Sequence, residues 1–213
     1  FDISSKQCRK LRIQNPVISN KDLEKIRAIS IDHFHAETFS ILYPKAKGLN
    51  GLEDALDALI VQVTKAVERG TNIIILSDRG VNKDLAPIPS LLACSYVNHQ
   101  MNRLRKRSYF DIIIESAEPR EPHHFATLFG YGASAINPYM VNEIIRVQVR
   151  EGFITGIDET KAVHNFNKAI GNGIVKIMNK IGISTLHSYR GSQIFEIVGF
   201  NSKAANFSEA VFA

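Results

Sequence analysis

A dense group of acidic and basic side chains lies between residues 115 and 139, in the stretch ESAEPREPHHFATLFGYGASAINPY. Three glutamates, one arginine and two adjacent histidines are the residue types from which metal sites and acid–base centres are built. They are Glu115, Glu118, Arg120, Glu121, His123 and His124. The stretch therefore raises two chemical hypotheses, a metal centre and a proton-transfer site.

The spacing of these side chains disfavours a metal site. His123 and His124 are neighbours, so on a helix their side chains point about 100° apart. The HExxH arrangement, which places two histidines on one helical face, is absent. Glu118, Glu121 and His124 are spaced by three and would share a face, but only if residues 118–122 were helical.

Two prolines oppose such a helix. Pro119 and Pro122 each lack an N–H donor and restrict the preceding residue to extended backbone. We therefore expect a loop at 118–122, with Pro122 in the first turn of the next helix and a histidine capping or packing there. Arg120 is expected to hold its two flanking glutamates in a charge network.

A second candidate is SDRG, residues 77–80, which follows the apolar run IIIL. Arg79 could bind a carboxylate or phosphate through its planar guanidinium, and Asp78, next to Ser77, could cap a turn. Functional and structural interpretations both remain open here. The tail SYRGSQIFE carries Arg190 beside residues typical of a helix start.

The glycine-rich stretch GYGASA, residues 130–135, does not match a nucleotide-binding loop. The GxGxxG pattern follows a strand and opens a helix, whereas these glycines follow a helical segment and precede a strand-like one. Gly130 and Gly132 are interpreted as a helix C-cap and a turn.

The elements that would position these side chains alternate between strand and helix. Residues 35–43 have a strand-like composition, and residues 71–78 and 110–116 contain continuous apolar runs, typical of parallel strands buried on both faces. Helical patterns occupy about 51–70, 89–104, 122–130 and 161–182, the last interpreted as one helix or two broken at Gly171–Gly173. The alternation predicts an α/β fold, a parallel β-sheet with covering helices built from βα units. The polar strand ends would then lie at its carboxyl edge, where sites in such folds usually occur.

Three segments are distinguished along the chain. We expect residues 1–34 to form a helical or extended lead-in, residues 35–200 an α/β domain, and residues 201–213 a C-terminal tail. Ser19 or Asn20 should cap a helix that begins near Lys21. The chain starts at Phe1 rather than methionine, which indicates a fragment or a processed piece.

Composition narrows the possible functions. The net charge of +5 is spread along the chain apart from the cluster RLRKR, residues 103–107, which is interpreted as a solvated helix end rather than a nucleic-acid patch. No apolar run reaches the roughly 20 residues needed to cross a bilayer. The two cysteines, Cys8 and Cys94, form no disulfide framework or metal motif, and Cys94 is expected to be buried.

Several collinear stretches resemble one family. ILSDRG, APIPSLLA, ESAEPREPHHFATLFGYGASAINPY and KIMNKIGISTLHSYRGSQIFE are similar to the central domain of the glutamate synthase large subunit, from about residue 10 to about 200. Departures occur at Ala117, where the family usually has glycine, and at Pro119 and Pro122, where alanine and valine are usual. These changes are expected to stiffen the loop.

The resemblance implies a fold and a metabolic context. The family enzyme makes two glutamates from glutamine and 2-oxoglutarate, with electrons from an NADPH-dependent small subunit or from ferredoxin, in the cytoplasm or the plastid stroma. An amidotransferase domain releases ammonia, and a barrel domain with FMN and an iron–sulfur cluster uses it. The central domain is related to a partial β/α barrel, carries no cofactor and helps to form the ammonia route.

The resemblance also sets the expectations for this chain. We expect no catalytic, cofactor-binding or metal-binding residue in it, and no nucleic-acid or membrane partner; two distant cysteines cannot hold an iron–sulfur cluster. Its tail would lead towards the FMN barrel. The candidate interface or channel residues are Ser77, Asp78, Arg79, Glu115, Glu118, Arg120, Glu121, His123, His124 and Arg190. The alternative is a stand-alone anion- or phosphate-binding module in which Arg79, Arg120 and Arg190 converge.

Overall fold

The computed structural model describes residues 11–29, 31 and 33–195. Its strands are β1 (Ala36–Ser40), β2 (Leu42–Pro44), β3 (Ile73–Ser77), β4 (Leu85–Pro87), β5 (Asp111–Glu115) and β6 (Ala133–Asn137). Its helices are α1 (Asn20–Arg27), α2 (Gly48–Glu68), α3 (Ser90–Arg103), α4 (Pro122–Gly130), α5 (Tyr139–Arg150), α6 (Glu159–Ile181) and α7 (Leu186–Tyr189).

Four of the strands form one parallel sheet in the order β1–β3–β5–β6. Each is followed by a helix, so the chain is a series of βα units and the predicted α/β fold is confirmed. All five residues of β3 are buried, because both faces of the sheet are covered. A small antiparallel pair, β2 with β4, lies beside the sheet; β4 was not predicted, and the predicted strand 35–43 is divided between β1 and β2.

The two faces of the sheet are covered differently. Helices α2, α3, α4 and α6 contribute to the larger core, which includes Ile74, Leu76, Ile112 and Ile114. The opposite side, called here the inner face, consists of Ile73, Ile75, Ile113 and Ala135. Of the described helices, α1 packs against it, through Leu23 and Ile26.

Helix α1 starts as the sequence predicts. The side chain of Ser19 accepts a hydrogen bond from the backbone N–H of Asp22 and caps the helix. Just before it, Val17 forms a parallel bridge to Ile136, and Ile18 donates its N–H to the Ile136 carbonyl at 2.9 Å. The described part of the lead-in therefore extends the sheet beyond β6 and then crosses its inner face.

Helix α6 is continuous, so of the two alternatives for this stretch the single helix is correct and the break at Gly171–Gly173 does not occur. The glycine at 173 serves helix packing instead: a Cβ there would lie 2.9 Å from the ring of Pro122 on α4. Helix α5 was not predicted. The C-terminal tail 201–213 and the end of the predicted last helix lie outside the described residues. Within the described part of the chain, no helix is long and apolar enough to cross a membrane.

Candidate functional site

Buried polar residues follow three neighbouring strands at the carboxyl edge of the sheet. Ser77 and Asp78 end β3, Glu115 and Ser116 end β5, and Asn137 ends β6, each at most 5% exposed. Backbone bonds continue across this edge, from Asp78 N–H to Glu115 and from Ser116 N–H to Asn137. The sequence prediction that these groups lie together is confirmed for Ser77, Asp78 and Glu115.

Glu115 is held by two arginines. Its carboxylate, 1% exposed, accepts a hydrogen bond from Arg27 Nη2 at 2.7 Å and another from Arg79 Nε. The guanidinium of Arg79 also lies 4.0 Å from the ring centroid of Tyr139, a cation–π contact. Since Arg27 belongs to α1, this cluster fastens the inner-face helix to the strand end. The contribution of Arg27 had no signal in the sequence.

Asp78 anchors the loop that follows β5. Its carboxylate accepts hydrogen bonds from Ser116 Oγ at 2.6 Å and from the Ala117 N–H at 3.0 Å. The hydroxyl of Tyr139 also bonds to it, and burial together with this bond raises the pKa of Tyr139. Asp78 therefore fixes the backbone at Ala117.

The loop glutamates act as helix caps. Glu118 accepts hydrogen bonds from the N–H and the hydroxyl of Ser90, at the start of α3. Glu121 caps α4 in a reciprocal arrangement with His124, whose Nδ1 accepts from the N–H groups of Arg120 and Glu121. The expected charge network is wrong: no ion pair of Arg120 occurs within the described ranges, because both glutamates bond to other groups.

The other features of this loop follow the sequence argument. Pro122 is the first residue of α4, and residues 117–121 are not helical. The predicted histidine cap is His124, while His123 is exposed. Among the described residues, no three histidine, cysteine or acidic side chains are grouped closely enough to hold a metal ion.

Arg190 lies at the opposite, amino edge of the sheet. It is the C-cap of α7 rather than part of a helix start. Its Nη1 donates to Asp111, the first residue of β5, at 2.9 Å, and to Ser134 near the start of β6. Arg79 lies at the carboxyl edge, so Arg79, Arg120 and Arg190 do not converge as the alternative of an anion-binding module required.

Arg107 corrects the interpretation of the basic cluster. Instead of ending a solvated helix, its guanidinium donates to Asn98 Oδ1 at 2.7 Å and to the carbonyls of Phe110 and Gly132 at 2.6 and 2.9 Å. Burial lowers the pKa of this group from its ordinary value. No spacing in RLRKR distinguishes this arginine from its exposed neighbours, because its partners come from three separate segments.

Cys94 is fully buried, as predicted. Burial raises the pKa of its thiol to about 12, so the thiolate required for nucleophilic chemistry is scarce at neutral pH. The structure supports a packing role.

The turn between α4 and β6 depends on Gly132, with φ +111°, rather than on Gly130, which ends α4. An alanine Cβ at 132 would lie 2.5 Å from Asn98 Oδ1, the acceptor for Arg107. We expect Gly132→Ala to lower the free energy of unfolding by about 2 kcal/mol through backbone strain and this clash, measured by urea denaturation. Gly152→Ala, with φ +81° and no atom within 4 Å of the added Cβ, should cost about 1 kcal/mol; equal losses would contradict the clash.

Tyr189 has a fully buried ring, and its hydroxyl has no hydrogen-bond partner among the described residues. An unsatisfied buried hydroxyl costs on the order of 1–3 kcal/mol. We therefore expect Tyr189→Phe to raise the free energy of unfolding by about 1 kcal/mol, measured by urea denaturation. Tyr109→Phe, at a side chain that is 67% exposed, should change it by less than about 0.5 kcal/mol. A loss of stability in Tyr189→Phe would show that the hydroxyl is bonded.

Solved structures with a similar fold include a flavocytochrome b2 mutant with benzoylformate. The TM-score is 0.51 at 10% sequence identity, over 69% of this chain and 37% of that chain. A mandelate oxidase mutant gives a TM-score of 0.50 at 12% identity, over 62% of this chain and 36% of that chain. At these identities the likeness shows the fold alone: a four-stranded parallel sheet with flanking helices, part of a β/α barrel.

Sequence relatives cover nearly all of the chain. A glutamate synthase [NADPH] large chain of Bacillus subtilis is 39% identical over 198 residues, 93% of this chain and 13% of that protein. A glutamate synthase [NADH] of Schizosaccharomyces pombe is 36% identical over 97% of this chain, and a ferredoxin-dependent glutamate synthase 2 of Synechocystis is 32% identical over the same share. The chain spans 10% and 14% of these two relatives' lengths.

A family model described as "Glutamate synthase central domain" matches residues 1–201. The match includes both edges of the sheet, the loop between β5 and α4, and α1 on the inner face. The chain belongs to the glutamate synthase central domain family.

Proposed function

We propose that this chain is a non-catalytic coupling domain of a glutamate synthase. The parent would convert glutamine and 2-oxoglutarate to two glutamates, and this domain would brace the ammonia route between an amidotransferase domain and an FMN-binding synthase domain. The observation that carries the proposal is that α1 and the arginines bonded to Glu115 occupy the carboxyl edge of the sheet. Sites in β/α barrels usually lie there, but here α1 crosses that edge and Glu115 is bonded to Arg27 and Arg79.

Contacts at both ends of α1 support this assignment. Asn20, its first residue, accepts hydrogen bonds from Asn137 at the end of β6 and from Asn142 in α5, whereas Arg27, its last residue, reaches Glu115. The helix thus spans the carboxyl ends of β5 and β6. A flavin bound over these strand ends would have to displace it, so we assign FMN and the iron–sulfur cluster to other domains of the parent.

A coupling domain has a physical rationale in ammonia transfer. Ammonia released into water is protonated and lost as a nucleophile, whereas a walled path keeps it neutral and local, an argument from desolvation. The exposed residues Glu118, Arg120 and Glu121 of the loop, with His123 and His124 in the first turn of α4, are the proposed contact surface for the neighbouring domains. Ser77, Asp78 and Glu115 would hold this surface in place from below. Arg190, at the other edge, would serve a different contact.

The parent's electron donor would be an NADPH-dependent small subunit or ferredoxin, in the cytoplasm or the plastid stroma. The relatives include enzymes named for NADH, NADPH and ferredoxin.

The isolated chain provides the test. We expect neither glutaminase activity nor 2-oxoglutarate-dependent oxidation of NADPH or reduced ferredoxin above a blank without protein. Thermal unfolding should also be unaffected by FMN, 2-oxoglutarate, glutamine or phosphate, since a ligand that binds the folded state raises its stability. Turnover in either assay would refute the non-catalytic role, and a large stabilisation by one of these compounds would favour a stand-alone binding module.

A further inference from the structure

A groove of about 800 Å³ opens beside the inner face at the amino ends of the strands. Helix α1 lies over the carboxyl half of this face, as its contacts with Glu115 and Asn137 show. The amino half keeps an apolar lining that includes Leu11, Ile13 and Phe34. We call this depression the amino-edge groove.

The wall of the amino-edge groove carries an excess of positive charge. It contains Arg107 and Arg190 but one carboxylate, Asp111, which is bonded to Arg190. The hydrogen bonds of Arg107 reach three acceptors, all of them neutral oxygens, although a guanidinium has five N–H donors. A largely buried guanidinium without a direct carboxylate partner favours the approach of an anion.

We propose that the amino-edge groove is a docking surface for an acidic, apolar segment of the polypeptide that flanks this domain in a glutamate synthase large chain. The inference rests on the proposed function. Charge complementarity selects the occupant: a carboxylate meets Arg107 and Arg190, and apolar side chains cover Leu11 and Phe34. Long flanking polypeptide could supply such a segment, because this chain covers only 10% and 13% of the lengths of the relatives from S. pombe and B. subtilis.

Thiol labelling measures whether the groove is covered. Tyr109, which lines it, is 67% exposed, and Leu49, which does not line it, is 66% exposed. Tyr109→Cys and Leu49→Cys would each be made with Cys8→Ser, both in the isolated chain and in the full-length large chain that contains this domain. Labelling rates are read site by site by peptide mass mapping. We expect position 109 to react at least 10-fold more slowly in the full-length chain than in the isolated chain. The labelling rates at position 49 in the two chains serve as the reference for this comparison.

Charge reversal tests the chemistry of the contact. In the full-length chain carrying Tyr109→Cys, Arg190→Glu should restore labelling at position 109 to within about twofold of the isolated chain. Arg150→Glu is the matched control, since Arg150 also pairs with a carboxylate, that of Glu159 at 3.3 Å, and does not line the groove; it should leave the protection unchanged. Circular dichroism of each variant confirms folding.

Three results would overturn the proposal. The first is equal labelling at position 109 in the isolated and full-length chains. The second is protection that Arg190→Glu leaves intact. The third is protection of position 109 that is already present in the isolated chain. Protection that is independent of protein concentration would mean that the chain covers its own groove. Protection that depends on protein concentration would mean that a second copy covers it. None of these results alters the activity assays of the isolated chain, so failure here is distinguishable from failure of the coupling role.

Discussion

Glu115→Gln is expected to lower the free energy of unfolding by about 3 kcal/mol. Glu115 is 1% exposed and balances Arg27 and Arg79, so the substitution leaves two guanidiniums beside a neutral amide. Removing one partner of a buried ion pair costs about 3–5 kcal/mol. The lower end of this range applies here because the side chains of Arg27 and Arg79 are 30% and 43% exposed. Urea denaturation of the isolated chain measures the loss.

The matched control is Glu24→Gln. Glu24 also pairs with Arg27, but its side chain is 60% exposed, and surface pairs contribute less than about 1 kcal/mol. A double-mutant cycle between Arg27→Met and Glu115→Gln should show coupling well above that of the Glu24 pair. Similar losses in Glu115→Gln and Glu24→Gln would mean that α1 is not fastened through this cluster.

Asp78→Ala is expected to cost about 3–4 kcal/mol and to loosen the loop after β5. The substitution removes the acceptor for Ser116 Oγ, the Ala117 N–H and the Tyr139 hydroxyl at a position that is 2% exposed. Each buried donor left without an acceptor costs on the order of 1–3 kcal/mol, reduced where water enters. Urea denaturation gives the loss of stability, and hydrogen exchange at Ala117 should become faster.

Asp158→Ala makes the same substitution at a solvent-exposed cap. Asp158 accepts one hydrogen bond, from the Lys161 N–H at 2.7 Å at the start of α6. Loss of such a cap costs about 1 kcal/mol. If Asp78→Ala cost no more than Asp158→Ala, Asp78 would be an ordinary cap rather than the anchor of the loop.

Much of the fold can be predicted from local patterns. The runs at 73–76 and 112–114 are apolar without alternation, which identifies strands covered on both faces, and Ser19 marks the start of α1. The unbroken course of α6 could not be predicted, because Gly173 is required by the close approach of Pro122, a contact between distant segments.

The residues at the carboxyl edge of the sheet could be predicted from the sequence, but the residues that bond to them could not. Parallel strands place Asp78 and Glu115 at one edge from topology alone. Arg27 lies 88 residues from Glu115 in sequence, and no pattern links them. The position of Arg190 could not be predicted for the same reason. It lies at the amino edge because α7 folds back onto Asp111, the first residue of β5.

The bridge between Val17 and Ile136 constrains the order in which the domain forms during translation. Ile18 and Asn137, which share a hydrogen bond, are 119 residues apart. At about 5–20 residues per second, a ribosome needs roughly 6–24 s to synthesise the chain between them. Until β6 emerges, the lead-in lacks the strand it pairs with, and Ile73 and Ile113 lack the cover that α1 completes. A nascent chain paused before residue 137 would therefore expose an apolar surface of the kind that chaperones bind.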